Sequence, residues 1–439
     1  MKPRSKTVAA GLIAVAMFGA GAVLLRPDVS MSLRASPGSG SSFLEVPVAG
    51  TSDLEATIAS LEAAPNASPE ERAALAGAYL QKGRVTADPA YYGLAARALH
   101  MALKEQPDNL SALLGRGQLS LARHDFPGAL RWGRAALGVD PVNPTALGVL
   151  GDALFELGRY RAGVRAYQEM MDIRPDLASW ARVSYAREMH GDVSGAIGAM
   201  KNALRASGGS SESAAWVGNQ LGDLYFSAGR LTAAAQAYRY SLDAAAGFTP
   251  PLAGLAQVNA TRGHRERAIA LYRRAVARLP LPQTVAAFGD VLTAFGDDAA
   301  ARTQYGLVRA QNRLLRSGGV MPDVEITLFL ADHGREQRAL GLARSQFDER
   351  PSVRVADALA WSLYRNGMSG KAARVSRLAL RLGTRDALFH FHAGMIAMAA
   401  GDDDRARSML REALSINPHF SIRYARVARG TLHRLEDGQ

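Results

Sequence analysis

His390 and His392 come nearest to a metal-binding pair in this sequence. Residues two apart on a helix point about 200° from each other, so the two imidazoles cannot converge on one ion. They are expected to pack or to face solvent. Asp402-Asp403-Asp404 could hold a cation, but the run follows Gly401 at the expected start of a helix, where acidic side chains complement the helix dipole. It reads as a cap. Gly115-x-Gly117 and Gly148-x-x-Gly151 carry glycine spacings of a phosphate loop, yet both lie on expected helices with no strand before them. The sequence has no Gly-x-Ser-x-Gly elbow, no His-Glu-x-x-His helix and no repeated carboxylate pair. Cysteine is absent, which removes disulfides, thiolate metal sites, a thiol nucleophile and a lipid-bearing cysteine together. The expectation is a chain with no catalytic residues, no cofactor and no metal, and therefore not an enzyme.

The elements that would position any site follow from composition and periodicity. The 439 residues are 48 % hydrophobic and 21 % charged, a globular balance able to build a core. A net charge of +12 raises a polyanion partner as a second function class. Only six of the 52 basic residues are lysines, however, and the arginines are spread along the chain without a dense block. The nearest thing to a patch is Arg423, Arg426, Arg429 and Arg434, which reads more simply as a solvated helix face.

Lys2, Arg4 and Lys6 precede Thr7 to Leu25, nineteen residues without a charge. At about 1.5 Å per residue this run can span a hydrocarbon core, and its positive flank keeps the N-terminus in the cytoplasm and the rest of the chain outside. Residues 1–25 are therefore expected to be a signal-anchor. Ala20-Gly21-Ala22 offers the alternative of a cleavable signal peptide and a secreted protein. Residues 26–68 form a Ser/Gly/Pro linker. Within it Leu54, Ile58 and Leu61 predict a short leading helix from Ser52 to Ala64, with Ser52 and Glu55 as a capping box.

The remainder is periodic. Pro107, Pro141 and Pro175 lie thirty-four residues apart, and the same ruler finds a glycine between two helical stretches at Gly83, Gly158, Gly191, Gly229, Gly263, Gly296, Gly334, Gly367 and Gly401, with His124 as the substitute. Each is followed by a small residue early in the next helix, from Ala95 to Ala406. A second small series, from Ala76 to Gly394, marks the first helices. Antiparallel helices can approach closely only where facing side chains are small. Tyr167, Tyr238, Tyr272 and Tyr305 recur at one second-helix position and are expected to fill the space toward the neighbouring pair. Extra residues around Val85 to Tyr91, Gly208 to Ser211 and Arg316 to Gly319 are expected to be loops.

With Leu147, Leu150, Gly151, Leu154, Ala166, Tyr167 and Pro175, and Trp180 opening the next unit, the chain resembles the tetratricopeptide repeat family over roughly residues 69–420. The resemblance implies an all-α, right-handed α-solenoid of about ten helix-turn-helix repeats, starting near Pro69, Leu110, Pro144, Leu177, Ala215, Thr249, Pro282, Val320, Val353 and Ala387. Residues 421–439 would form a capping helix and tail. The family's surface for partners is the concave groove lined by first helices. It implies a scaffold for partner proteins or peptides, with an arginine-based binder of a polyanion or anionic surface as the alternative. The expected groove residues are Trp216, Asn219, Asp223 and Phe226 in one unit and Arg354, Asp357, Trp361, Tyr364 and Arg365 in another. The lysine and asparagine clamp of the chaperone-tail binders is missing, so that ligand class is not implied, and nucleic acid is not the expected partner.

Overall fold

The computed structural model describes residues 51–438. The signal-anchor or signal-peptide expectation at 1–25 and the linker as far as residue 50 lie outside them. Among the described residues there are twenty-two helices and no strand. A leading helix, α1 (Thr51–Glu62), precedes ten antiparallel pairs. The first five pairs are α2 (Pro69–Thr86) with α3 (Ala90–Glu105), α4 (Leu110–Ala122) with α5 (Phe126–Val139), α6 (Pro144–Glu156) with α7 (Tyr160–Ile173), α8 (Leu177–Met189) with α9 (Val193–Arg205), and α10 (Ser211–Ser227) with α11 (Leu231–Ala244). The second five are α12 (Pro251–Thr261) with α13 (Arg265–Arg278), α14 (Pro282–Ala294) with α15 (Asp298–Ser317), α16 (Val324–Asp332) with α17 (Glu336–Glu349), α18 (Val353–Arg365) with α19 (Ser369–Ala379), and α20 (Ala387–Ala399) with α21 (Asp403–Ile416). The last helix is α22 (Ala425–Glu436).

Helix starts are written locally. Asn109, Asn143, Asp125, Asp192 and Asp402 each accept the backbone N–H three residues on, supplying the oxygen that a helix N-terminus lacks. Asp402 thus serves as a cap, as its position suggested. Ser68 and Glu71 form the reciprocal capping box of α2. The short leading helix is present as α1 over Thr51–Glu62, and the capping box expected at Ser52 falls on side chains outside those described.

Within each pair the small residues are buried where the helices cross. Every member of the series from Ala95 to Ala406 is buried, as is every member of the series from Ala76 to Gly394. The tyrosines pack within their own pair as well as toward the next. A Cβ on Gly151 would lie 2.2 Å from the Tyr167 ring, and one on Gly222 would lie 2.3 Å from Tyr238. Tyr238 also abuts Gly254 of the following first helix.

The first unit departs from the ruler. Gly83 is inside α2, with the Tyr92 ring against it, and the chain reverses at Ala87 with φ +56°. Gly83 alone does not stop the helix before Asp88-Pro89, so the extra residues lengthen it and only 87–89 remain as a turn. Likewise Arg316 and Ser317 extend α15, and the loop starts at Gly318. His124 does replace glycine in the second turn, with φ +60°. Its strained backbone is held by the ring, which stacks on Phe126 and places Nδ1 3.1 Å from Met321 O.

That last contact belongs to a series. Turns of early units touch loops of late ones at regular spacing: Met321 N donates to Arg123 O (2.9 Å), Val353 N to Tyr160 Oη (2.8 Å), Thr384 Oγ1 to Met189 O (2.5 Å) and Asn417 Nδ2 to Phe226 O (2.8 Å). Partners in the three side-chain bonds are 191 to 195 residues apart. The array therefore winds through a full superhelical turn in about six repeats and rests on itself.

Arg350 locks this seam. It is 3 % exposed, lies 4.8 Å above the Phe126 ring, and sits 3.7 Å from Glu156 and 3.6 Å from Asp323. The first two belong to units two and three, and the last to the loop before unit eight.

Candidate functional site: the inner channel

Because first helices line the inside of the turn, its closure leaves an internal channel of about 1430 Å³. Much of its wall is apolar. Leu307 and Leu314 from α15 and Met321 from the following loop line it, and all three are exposed large hydrophobics. The polar wall is acidic in balance. Asp88, Glu188, Glu212, Asp323, Glu325 and Asp386 face Arg84, Arg354 and Arg423. A chain of net charge +12 thus keeps a surplus of carboxylates on its inner wall.

A recurrent unit of the inner helices is an aspartate following the small first-helix residue. Asp152, Asp223 and Asp290 accept from Tyr167, Tyr238 and Tyr305 at 2.9, 2.7 and 2.9 Å, in each case fifteen residues on. Each aspartate then has its own further partner. Arg182 grips Asp152 through Nε at 2.9 Å and Nη2 at 2.6 Å, and Asn219 donates to Asp223 at 3.1 Å. Burial and the neighbouring Asp152 charge push the Tyr167 hydroxyl well above its ordinary value, keeping it a neutral donor.

Asp290 is the most elaborated of the three. Besides Tyr305, its Oδ1 lies 3.1 Å from His333 Nε2 and accepts from Arg423 Nη1 at 3.0 Å. Burial raises the carboxyl's proton affinity, but the His333 bond and the Arg423 charge outweigh it and hold the group below its ordinary value. Arg423 in turn is raised: burial opposes its charge, and Asp290 with Tyr424 and Asp332 more than compensates. Arg423 also donates through Nη2 to Asp332 O at 3.2 Å.

The expected groove residues separate in the structure. Trp216, Asn219, Arg354 and Asp357 line the channel. Trp216 is nevertheless only 8 % exposed and packs with Leu177, Ile197 and Met200. Asp223 is engaged by Tyr238 and Asn219. Phe226, at 1 % exposure, points into the core beside Ala234, Ala235 and Tyr238, because the helical register carries it past the inner wall.

In the second group, Arg354 pairs with Glu325 of the preceding first helix. Asp357 is buried against His392 at 2.9 Å, and burial raises its pKa although the histidine opposes that. His390 instead approaches the Asp386 carbonyl at 2.8 Å, so the two imidazoles diverge. Trp361 is 2 % exposed, donates to Asp332 at 2.8 Å, and is enclosed by Tyr364, Phe391, His392 and Tyr424. Arg365 reaches Asp332 at 3.2 Å and Glu336 at 3.4 Å.

Asp152, Asp290, Arg182 and His333 carry no sequence signal of their own, and Arg423, expected on a solvated helix face, instead precedes α22 and turns in to Asp290. The Gly-Asp dipeptides at 151–152, 222–223 and 289–290, each with a tyrosine fifteen residues after the aspartate, were the available signal. Nothing local could have paired Asp290 with Arg423, 133 residues away.

Among the described residues no group of three or more metal-ligating side chains comes together, and no helix is long and apolar enough to cross a membrane. No curated protein matches the chain. Solved structures similar to it include the Cut9–Hcn1 hetero-tetramer of the APC/C, at 16 % identity over 87 % of this chain and 92 % of that one, with a TM-score of 0.37. A tetratricopeptide repeat protein from Parabacteroides merdae is 16 % identical over 62 % of this chain and 99 % of its own, with a TM-score of 0.34. The human IFIT1 dimer with m7Gppp-AAAA is 15 % identical over 76 % of this chain and 77 % of that one, with a TM-score of 0.49. None of these overlays is close enough to bear on function. The tetratricopeptide repeat family model matches residues 92–144, 134–178 and 184–247, and a second model of that repeat matches 387–420. Tetratricopeptide repeats are thus found in residues 92–178, 184–247 and 387–420, and the described residues form an all-α solenoid repeat scaffold of this type.

Proposed function

We infer that the chain is an anchored extracytoplasmic scaffold that holds a segment of a partner protein in its inner channel. The carrying observation is that Leu307 and Leu314 of α15, a second helix, and Met321 of the loop after it present exposed apolar side chains to the channel of about 1430 Å³. Pockets that bind ligands are concave and mostly apolar, with a few convergent polar groups. Trp216, Asn219 and Arg354 are the polar and aromatic contacts assigned to the partner, while Asp357, held by His392, backs the wall behind them. The surplus of carboxylates counts against a polyanion inside the channel. Tetratricopeptide repeats generally serve as scaffolds without catalysis, and no reaction is assigned.

A photo-crosslinking residue at Leu314 tests the reading in the intact cell, with one at the exposed Tyr240 of α11, outside the channel lining, as control. Partner capture from position 314 and not from 240 is expected. Equal or preferential capture from 240 would move the site to the outer surface. Thr7 to Leu25 supplies the anchor, with Lys2, Arg4 and Lys6 on the cytoplasmic side. Protease added to spheroplasts should then degrade the repeats, and repeats that resist until lysis would reverse the topology. Recovery of soluble protein outside the cell would favour cleavage at Ala20-Gly21-Ala22.

A further inference from the structure

After α21 the chain does not begin an eleventh first helix at once. Residues 417–424 turn inward, and α22 starts only at Ala425. Phe420 and Tyr424 pack on Phe391, with ring centroids 5.5 and 4.8 Å away, and Tyr424 meets Trp361 edge-on at 5.8 Å. Ile422 packs against the cluster containing Tyr272 and Phe288. Arg423 spans the rest of the inner wall. Its Nη1 reaches Asp290 Oδ1 at 3.0 Å and His333 Nε2 at 2.7 Å, while Nη2 reaches Asp332 O at 3.2 Å.

A capping helix needs only to cover the apolar face of the last repeat. Contacts from Arg423 to the first helices of units seven and eight go beyond that requirement. They have the chemistry of recognition: a guanidinium in charge-assisted bonds to a carboxylate, and aromatic rings set against a tryptophan and a phenylalanine.

Resting on the scaffold reading above, we propose that Phe420–Tyr424 is an internal stand-in for a partner, and that the inner wall of units seven to ten binds partner segments carrying an arginine next to an aromatic residue, which displace it. The charge complement is on the wall itself, in Asp290 and the Asp332 carbonyl. The apolar complement is Trp361 with Phe391. The segment's own order, Phe-Ser-Ile-Arg-Tyr, is the pattern to expect in the partner. Its covalent attachment raises its effective concentration, so a free segment competes only when it is abundant or held nearby.

The probe is a fluorescein-labelled peptide with the sequence of Pro418 to Arg426, measured by anisotropy against the full-length protein in detergent. An Arg423→Ala, Tyr424→Ala double variant should bind it at least tenfold more tightly than the wild type. Adding Asp290→Asn to that variant should weaken binding tenfold or more, and a peptide carrying Arg423→Ala should not bind. Equal affinity for wild type and double variant, no binding to a double variant with wild-type circular dichroism, or indifference to Asp290→Asn would each overturn the proposal. If the double variant does not fold, amide exchange of the wild type in excess peptide decides: faster exchange over 420–430 supports displacement, and unchanged exchange overturns it. Crosslinking from Leu314 is run alongside. Capture from 314 without peptide binding removes this inference alone, whereas loss of that capture removes the scaffold reading on which it rests.

Discussion

Asp290 is approached by Tyr305, His333 and Arg423, three side chains from three stretches of chain. Its proton affinity is lowered in the fold, so its contribution to stability is complete above the ordinary carboxylate value of 3.8 and is lost as pH falls through the lower folded value. Chemical denaturation of wild type and Asp290→Asn across pH should show a gap that is constant above 3.8 and closes below it. A gap that widens with acid would mean that the carboxylate is not held ionised. Trp361 makes the opposite point about polar handles. Spacing suggested a groove tryptophan whose loss would spare the fold, but burial among Tyr364, Phe391, His392 and Tyr424 makes it a core residue. Trp361→Ala is expected to cost about 3–5 kcal/mol, read from the denaturation midpoint.

At the scale of the helix pair, close approach rests on paired small residues. Ala268 is fully buried in α13 beside Ala256, Tyr272 and Phe288. Ala268→Leu would drive α12 and α13 apart, at a cost of about 1–3 kcal/mol from overpacking. Since each repeat is stabilised by its neighbours, the melt should shift as a whole rather than lose one repeat's share of signal. An unchanged melting temperature would contradict the placement of that side chain between the two helices.

At the scale of the molecule, the seam between early turns and late loops turns an open array into a closed one. Gly191 and Gly263 separate the seam's contribution from that of the turn itself. Both have positive φ, at +80° and +78°. A Cβ on Gly191 would lie 2.3 Å from Gly383 O, while one on Gly263 meets nothing within 4 Å. Gly263→Ala should cost about 1–3 kcal/mol of backbone strain. Gly191→Ala should cost clearly more and should enlarge the radius of gyration measured by X-ray scattering. Equal effects would mean that the seam adds nothing. Arg350→Ala should act on the same seam, since it leaves Glu156 and Asp323 without this cation in a buried setting, at about 3–5 kcal/mol.

The periodic small residues, caps and turn glycines made the repeats legible before any coordinates, because each is a local requirement of two helices joined by a tight turn. Ala76 and Ala95 are both fully buried even though the turn beside them lies at Ala87 and not at Gly83. Helix register likewise brought Trp216, Asn219, Arg354 and Asp357 to the inner wall. The pairing of Asn417 with Phe226, of Arg350 with Glu156 and of Arg423 with Asp290 was not legible. Such partners meet only after the small rotation at each repeat has accumulated through most of a superhelical turn. The same accumulated rotation brings the C-terminal segment over Trp361, and no spacing within a single repeat contains that information.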